Sequence, residues 1–167
     1  MKPDGQVIVR APARLPDSEI HIFVQKHEKW IQKHLEIARR RAEEQPPVEK
    51  LTTQEIQKLA DQAMQVIPQR VAYYAPKIGV DYGRITIRNQ KTRWGSCSAK
   101  GNLNFNCFLM LMPPEVIDSV VVHELCHRKE MNHSDRFYAE VLRVFPEYWK
   151  WNKWLKENGR RIITQNR

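Results

Sequence analysis

The chain has 167 residues, 41% of them hydrophobic and 28% charged, and a formal net charge of +9. That length suits one domain, 1–167, or one domain with a helical extension, with a real core, and neither a repeat nor a low-complexity tract interrupts it. No run approaches 18 apolar residues and Met1-Lys2-Pro3-Asp4-Gly5 is no signal peptide, so the expectation is a cytoplasmic protein with no membrane partner. The three cysteines, Cys97, Cys107 and Cys126, are odd in number and contain no CxxC pair, which argues against a disulfide framework or a thiolate zinc site.

In chain order, Gln6 to Arg10 reads as a short strand after an Asp4-Gly5 turn. Only three residues precede that turn, so no partner strand fits before it, and the chain is expected to begin late relative to a fuller domain. From Ser18 to Glu44 one long helix is expected, with Ile20, Phe23, Val24, Trp30, Ile31, Leu35 and Ala38 as its apolar stripe and Pro46-Pro47 as its stop. His27 and His34 fall at the margins of that stripe and read as packed edge residues. Thr52-x-x-Glu55 is a capping box opening a second helix, which Pro68 should kink and Pro76 should end. Residues 1–80 are therefore mainly helical. Beyond them, Arg84 to Arg88 alternates as a strand does, and Trp94 to Asn106 reads as a hairpin around Ser98-Ala99-Lys100-Gly101.

Residues 81–167 carry the chemistry. Met112-Pro113-Pro114-Glu115 is a helix start, with proline where its missing N–H costs nothing and an acid in the first turn. The helix is expected over about 114–130. Within it Val116, Val120, His123 and His127 share one stripe, and 123–127 reads His-Glu-Leu-Cys-His, an HExxH motif. At 3.6 residues per turn the two imidazoles stand about 40° apart and converge on a point suited to tetrahedral zinc. Glu124 lies beside that point, placed to take a proton from a metal-activated water. Cys126 points away from the motif and reads as a small buried side chain.

Asn132-His133-Ser134-Asp135 follows, offering a third imidazole six residues past His127 and a serine cap for a new helix. The spacing equals that of the metzincin HExxHxxGxxH pattern, but Glu130 stands where the glycine would turn the chain. Asn132 in a left-handed conformation is the expected substitute. Three readings of the third ligand stay open: His133, Glu140 from the next helix, or neither, with His133 a solvent-facing loop residue. A helix from Ser134 to Pro146 and another over about 147–158, capped by Gly159, end the chain. Their aromatics, including Tyr148, Trp149, Trp151 and Trp154, are spaced for core packing rather than base stacking.

Two basic stretches stand out. Arg84, Arg88, Lys91, Arg93 and Lys100 occur with no acid among them in residues 84–100, and 150–167 holds six bases against Glu157 alone. Such clusters attract phosphates of nucleotides or nucleic acids.

Arg93-Trp94-Gly95-Ser96-Cys97, the strand through Asn106, the proline-capped HELxH helix and Asn132-His133-Ser134-x-x-Phe137 together resemble the YgjP-like metallopeptidase family, kin of SprT-like zinc metalloproteases. The resemblance implies an α+β, zincin-like fold: a small antiparallel sheet packed against the metal-binding HExxH helix, flanked by N-terminal and C-terminal helices. It also implies zinc, or another divalent metal, on His123, His127 and His133, with Glu124 as general base. Arg93 and Trp94 are candidate substrate-binding residues, Arg93 through its five donors and Trp94 through packing; Arg93 reads equally well as a brace of the hairpin. The hairpin 94–106 is the candidate edge for an extended peptide or unfolded protein substrate. Peptide hydrolysis is the leading reading. A metal-dependent nucleoside triphosphate (UTP) pyrophosphatase, to which some family members are assigned, is second. A non-catalytic zinc module binding nucleic acid is third, and the presence of Glu124, which a structural site does not need, argues against it.

Overall fold

The computed structural model describes residues 7–12, 14–43 and 50–166. The chain divides into two compact units, Met1–Val48 and Glu49–Arg167. The first contains helices α1 (Asp17–Lys26) and α2 (Glu28–Glu43), and α1 has no buried residue. The expected single helix is thus two. At His27, with φ −106° and ψ 10°, the backbone N–H is shared between the carbonyls of Phe23 and Val24, so the last turn of α1 tightens before α2 restarts. The His27 ring N–H donates to the Phe23 carbonyl at 2.8 Å and that of His34 to the Trp30 carbonyl at 2.8 Å, local roles that suit neither as a ligand. Residues 7–10 form no strand, since no described segment pairs their N–H and C=O groups. Gln6, the Asp4-Gly5 turn and the Pro46-Pro47 stop lie outside the described residues.

The second unit is mixed helix and sheet, and a single buried helix organises it. Helix α3 (Thr53–Ile78) opens on the complete Thr52/Glu55 capping box, with Thr52 N–H donating to Glu55 at 2.8 Å. It passes through both Pro68 and Pro76. Pro76 does not end it, although it forfeits its own N–H bond and crowds the Ala72 carbonyl; the stop comes at Gly79, whose φ of 80° suits glycine and whose N–H closes on the Ala75 carbonyl at 2.9 Å.

Strands β1 (Ile85–Arg88), β2 (Gly95–Cys97) and β3 (Leu103–Asn106) then form a sheet of order β1-β3-β2. The hairpin β2–β3 is antiparallel, with Gly95 opposite Phe105 and Cys97 opposite Leu103. The expected all-antiparallel sheet is corrected by β1, which runs parallel to β3 with Ile85 opposite Leu103. The connection 89–102 carries the chain out through β2 and back, so β3 inserts between the other two and presents Leu103 and Phe105 to the core.

After a 3₁₀ turn at Cys107–Leu111, α4 (Pro114–Cys126) runs through the centre, with residues 116–122 and 124–126 all buried. Two polar residues in that run are satisfied: Ser119 donates to the Val116 carbonyl at 2.8 Å, and Asp118 accepts from Arg70 Nε at 2.6 Å and from the Tyr74 hydroxyl at 3.1 Å. Helix α4 packs on α3, β2, α5 (Asp135–Val144) and α6 (Tyr148–Gln165). Ser134 caps α5 as expected, its hydroxyl accepting from Phe137 N–H. Helix α6 runs past Gly159 instead of stopping there. A Cβ on that glycine would lie 2.7 Å from the Trp94 ring, so Gly159 is the point where α6 admits the tryptophan rather than a cap.

Candidate metal centre

Helix α4 delivers the motif at its C-terminal end, shorter than expected. The last helical residue is Cys126, and His127 is the C-cap, still right-handed at φ −62° and ψ −15°, so the one-turn relation to His123 survives. The chain turns by short-range bonds, Arg128 N–H to Leu125 and Lys129 and Glu130 N–H to Cys126. No described non-glycine residue has positive φ, which corrects the left-handed Asn132. Two i→i+3 bonds and one i→i+4 bond turn the chain without the missing glycine, and His133 comes back to the α4 histidines.

The three imidazoles meet. One ring nitrogen each from His123, His127 and His133 lies within 4.8 Å of the others. His123 Nε2 and His133 Nε2 are 3.0 Å apart. Tetrahedral zinc with bonds of ~2.05 Å separates its ligands by about 3.3 Å, so the 3.0 Å pair would open slightly and any pair nearer the 4.8 Å limit would close to hold it. Two imidazole nitrogens facing at 3.0 Å also need a proton or a metal ion between them, because two bare lone pairs repel. The outer nitrogens are engaged: His127 Nδ1–H donates to the Glu130 carbonyl at 3.1 Å, and His123 Nδ1 lies 2.8 Å from the Tyr148 hydroxyl. The Phe137 ring packs within 4.9 Å of all three imidazoles and closes the apolar side of the site.

Burial governs the electrostatics. His123 is driven down to about 3, by burial first and then by the charges His127 and His133 would carry; burial likewise lowers His127. Burial thus disfavours the charged form of both rings and leaves lone pairs for a cation. Glu124, 6% exposed, has its carboxyl pushed up to about 8 by burial, opposed by the charge of Arg93. Glu140, the alternative third ligand, sits apart in ion pairs with Arg143 at 2.8 Å and Lys129 at 3.2 Å.

Strand β2 forms the facing wall. Gly95 lies against Glu124 so closely that a Cβ would fall 2.6 Å from its Oε1. Trp94 is half-buried between the core and Gly159, whereas the Arg93 side chain is exposed and its carbonyl accepts from Asn106 Nδ2 at 3.1 Å. Between β2, α4 and α6 lies a cavity of about 190 Å³ with Trp94, Val120 and Leu155 as apolar lining, Ser119 and Asn152 as polar lining, and Glu124 among its walls. Tyr148 and Asn152 escaped sequence reasoning. Their separation of four residues, one helical turn, was the available signal, hidden among the aromatics of α6. Gly95 escaped in part: a glycine within a strand marks a close approach, but not what approaches.

None of the curated proteins compared with the chain matches it. Among solved structures it is similar to the metallopeptidase zymogen of Pyrococcus abyssi abylysin, at 24% identity and a TM-score of 0.51, covering 57% of this chain and 97% of that one. It is also similar to the metallopeptidase zymogen of Methanocaldococcus jannaschii jannalysin, at 21% identity and a TM-score of 0.49, covering 55% and 94%. The likeness in fold rests on the first. The family described as YgjP-like, metallopeptidase domain, matches residues 1–58 and 48–158, and with nearly the whole chain so matched, the protein belongs to the YgjP-like metallopeptidase family.

Proposed function

We propose that the protein is a zinc-dependent peptidase of zincin type, with His123, His127 and His133 as ligands and Glu124 as general base. The observation that carries this reading is the convergence of three imidazoles beside a buried carboxylate that no structural zinc site requires. Bound zinc supplies Lewis acidity, lowering the pKa of water to ~7 and polarising a carbonyl oxygen. The chain's own residues do the rest. Glu124 takes the proton of the attacking water and returns it to the leaving amine. A divalent cation alongside Arg93 favours the ionised carboxylate over the protonated form that burial alone selects.

The substrate lies along β2. That strand is an edge of the sheet, and bonds from Asn106 N–H to the Trp94 carbonyl and from Ser98 N–H to the Asn102 carbonyl aim even-numbered residues at β3. By alternation Gly95 and Cys97 offer their N–H and C=O groups to the open edge, where an extended peptide can add a strand. The adjoining cavity takes one substrate side chain, and its lining of Trp94, Val120 and Leu155 favours an apolar one.

Phosphate hydrolysis is the competing reading. The exposed Arg93 beside Glu124 favours it, yet among the described residues no carboxylate cluster that could hold magnesium accompanies the histidines. The test compares zinc-loaded wild type with Glu124→Gln on an unfolded protein, on UTP and in nucleic-acid binding. Peptide cleavage that falls by ~10²–10⁴-fold in the variant supports the proposal. Cleavage of UTP without proteolysis, or nucleic-acid binding with neither hydrolysis, would replace it.

A further inference from the structure

Each imidazole has two nitrogens, and a neutral ring that gives Nε2 to a metal must carry its proton on Nδ1. In a buried site that Nδ1–H needs an acceptor, because leaving it unmet carries the full cost of desolvation. For His127 the main chain provides one, the Glu130 carbonyl. For His123 the partner is a side chain from another helix: the Tyr148 hydroxyl, 2.8 Å from Nδ1. Tyr148 opens α6 and is 3% exposed, and its ring lies nearly parallel to the His123 ring, 12° between planes with centroids 5.9 Å apart. One turn on, Asn152 Nδ2 donates to the same hydroxyl oxygen at 2.5 Å, which locks the phenol in place.

We infer that Tyr148, anchored by Asn152, is a positioning residue for the metal centre: its oxygen accepts from His123 Nδ1–H and so holds His123 in the tautomer that presents Nε2 to the metal. The inference rests on the reading of His123 as a ligand and adds a device that no sequence motif contains. An acceptor of this kind, sitting behind a ligating histidine, typically supports metal affinity by ~10–100-fold. It also ties the site to the docking of α6, since the tyrosine reaches His123 only while the first turn of that helix is seated against α4.

The test reads zinc affinity directly, by competition with a chromophoric chelator, in wild type, Tyr148→Phe, Asn152→Ala and Tyr74→Phe. Tyr74 also loses a buried hydroxyl bond, to Asp118, but on the far side of α4's buried run from the histidines, so it controls for general loss of stability. Tyr148→Phe should weaken zinc binding ~10–100-fold and Asn152→Ala by less, while Tyr74→Phe binds as wild type does. Nitrogen-15 correlation spectra of the zinc-loaded proteins give the second readout. In wild type the His123 ring should carry its proton on Nδ1, and in the Tyr148→Phe protein that proton should exchange faster or the ring should populate the other tautomer. Wild-type zinc affinity in both Tyr148→Phe and Asn152→Ala, with an unchanged Nδ1–H signal, overturns the inference while leaving the metal centre intact. If the wild type itself binds no zinc, the metal-centre reading falls and the inference falls with it. Should Tyr148→Phe fail to fold, Asn152→Ala decides alone.

Discussion

The contact between Gly95 and Glu124 gives the proposed chemistry a steric test. An alanine at position 95 would put its Cβ 2.6 Å from Glu124 Oε1, 2.7 Å from Cγ and 2.9 Å from Cδ. Ordinary contact begins near ~3.5 Å, so something must yield by about 0.9 Å. Strand β2 is pinned to β3 by the bonds at Trp94 and Ser98, of 2.8 Å and 2.9 Å, and the buried carboxylate is the softer partner. Displacing a catalytic group by about 1 Å costs ~10²-fold in rate, equivalent to about 2.7 kcal/mol on the barrier. The histidines are not touched. Gly95→Ala should therefore lose ~10²-fold in kcat for cleavage of an unfolded protein while its zinc affinity stays within about two-fold of wild type. A folded variant with wild-type kcat would refute the reasoning, since Glu124 could then not be the base held against this strand. Equal loss of kcat and of zinc binding would show instead that the substitution disrupts the ligands.

Other outcomes follow from packing and charge. Burial keeps His123 neutral down to about 3, whereas an unfolded histidine protonates near 6.5. Between those values the unfolded chain binds more protons, so the zinc-free protein should lose a few kcal/mol of stability as pH falls from about 6.5 towards 3. Urea denaturation with a chelator present measures this, and a stability flat across that window contradicts it. Asp118→Ala strands Arg70 and the Tyr74 hydroxyl between α3 and α4. Because Arg70 is partly exposed the cost should be nearer ~2 kcal/mol than the 3–5 kcal/mol typical of a fully buried pair, with zinc affinity unchanged. Gly159→Ala drives a methyl against Trp94 and should lower the melting temperature by several degrees, as overpacking of ~1–2 kcal/mol would. Unchanged melting would mean Trp94 does not rest on α6.

What could be read in advance was what depends on near neighbours in the chain. The Thr52/Glu55 box, the Ser134 cap, the β2–β3 hairpin and the spacing of His123 and His127 each involve residues within a few positions, and each stands in the fold. Long-range pairing did not show itself. Nothing in Ile85 to Arg88 states that the strand lies parallel to β3, because direction is decided by where the intervening hairpin carries the chain. Gly159 shows a second limit. A glycine near a helix end signals a cap or a close approach alike, and only the Trp94 ring lying across it decides between them. The proline rule failed at Pro76, where the helix runs on to the left-handed Gly79 three residues later. In the candidate site, the spacing of the histidines was legible but the groups behind them were not. Tyr148 stands 25 residues from His123, and its bond exists only once α6 has packed on α4.

The account stands or falls on whether hydrolysis of peptide bonds follows occupancy of the three-histidine site. Zinc-free protein should be titrated with zinc against an unfolded protein substrate, with new amino termini counted by mass spectrometry. Cleavage should rise with added zinc, level off at one equivalent per chain, and vanish in His133→Ala at the same zinc concentration. Cleavage that persists in excess chelator, or none at saturation, contradicts it.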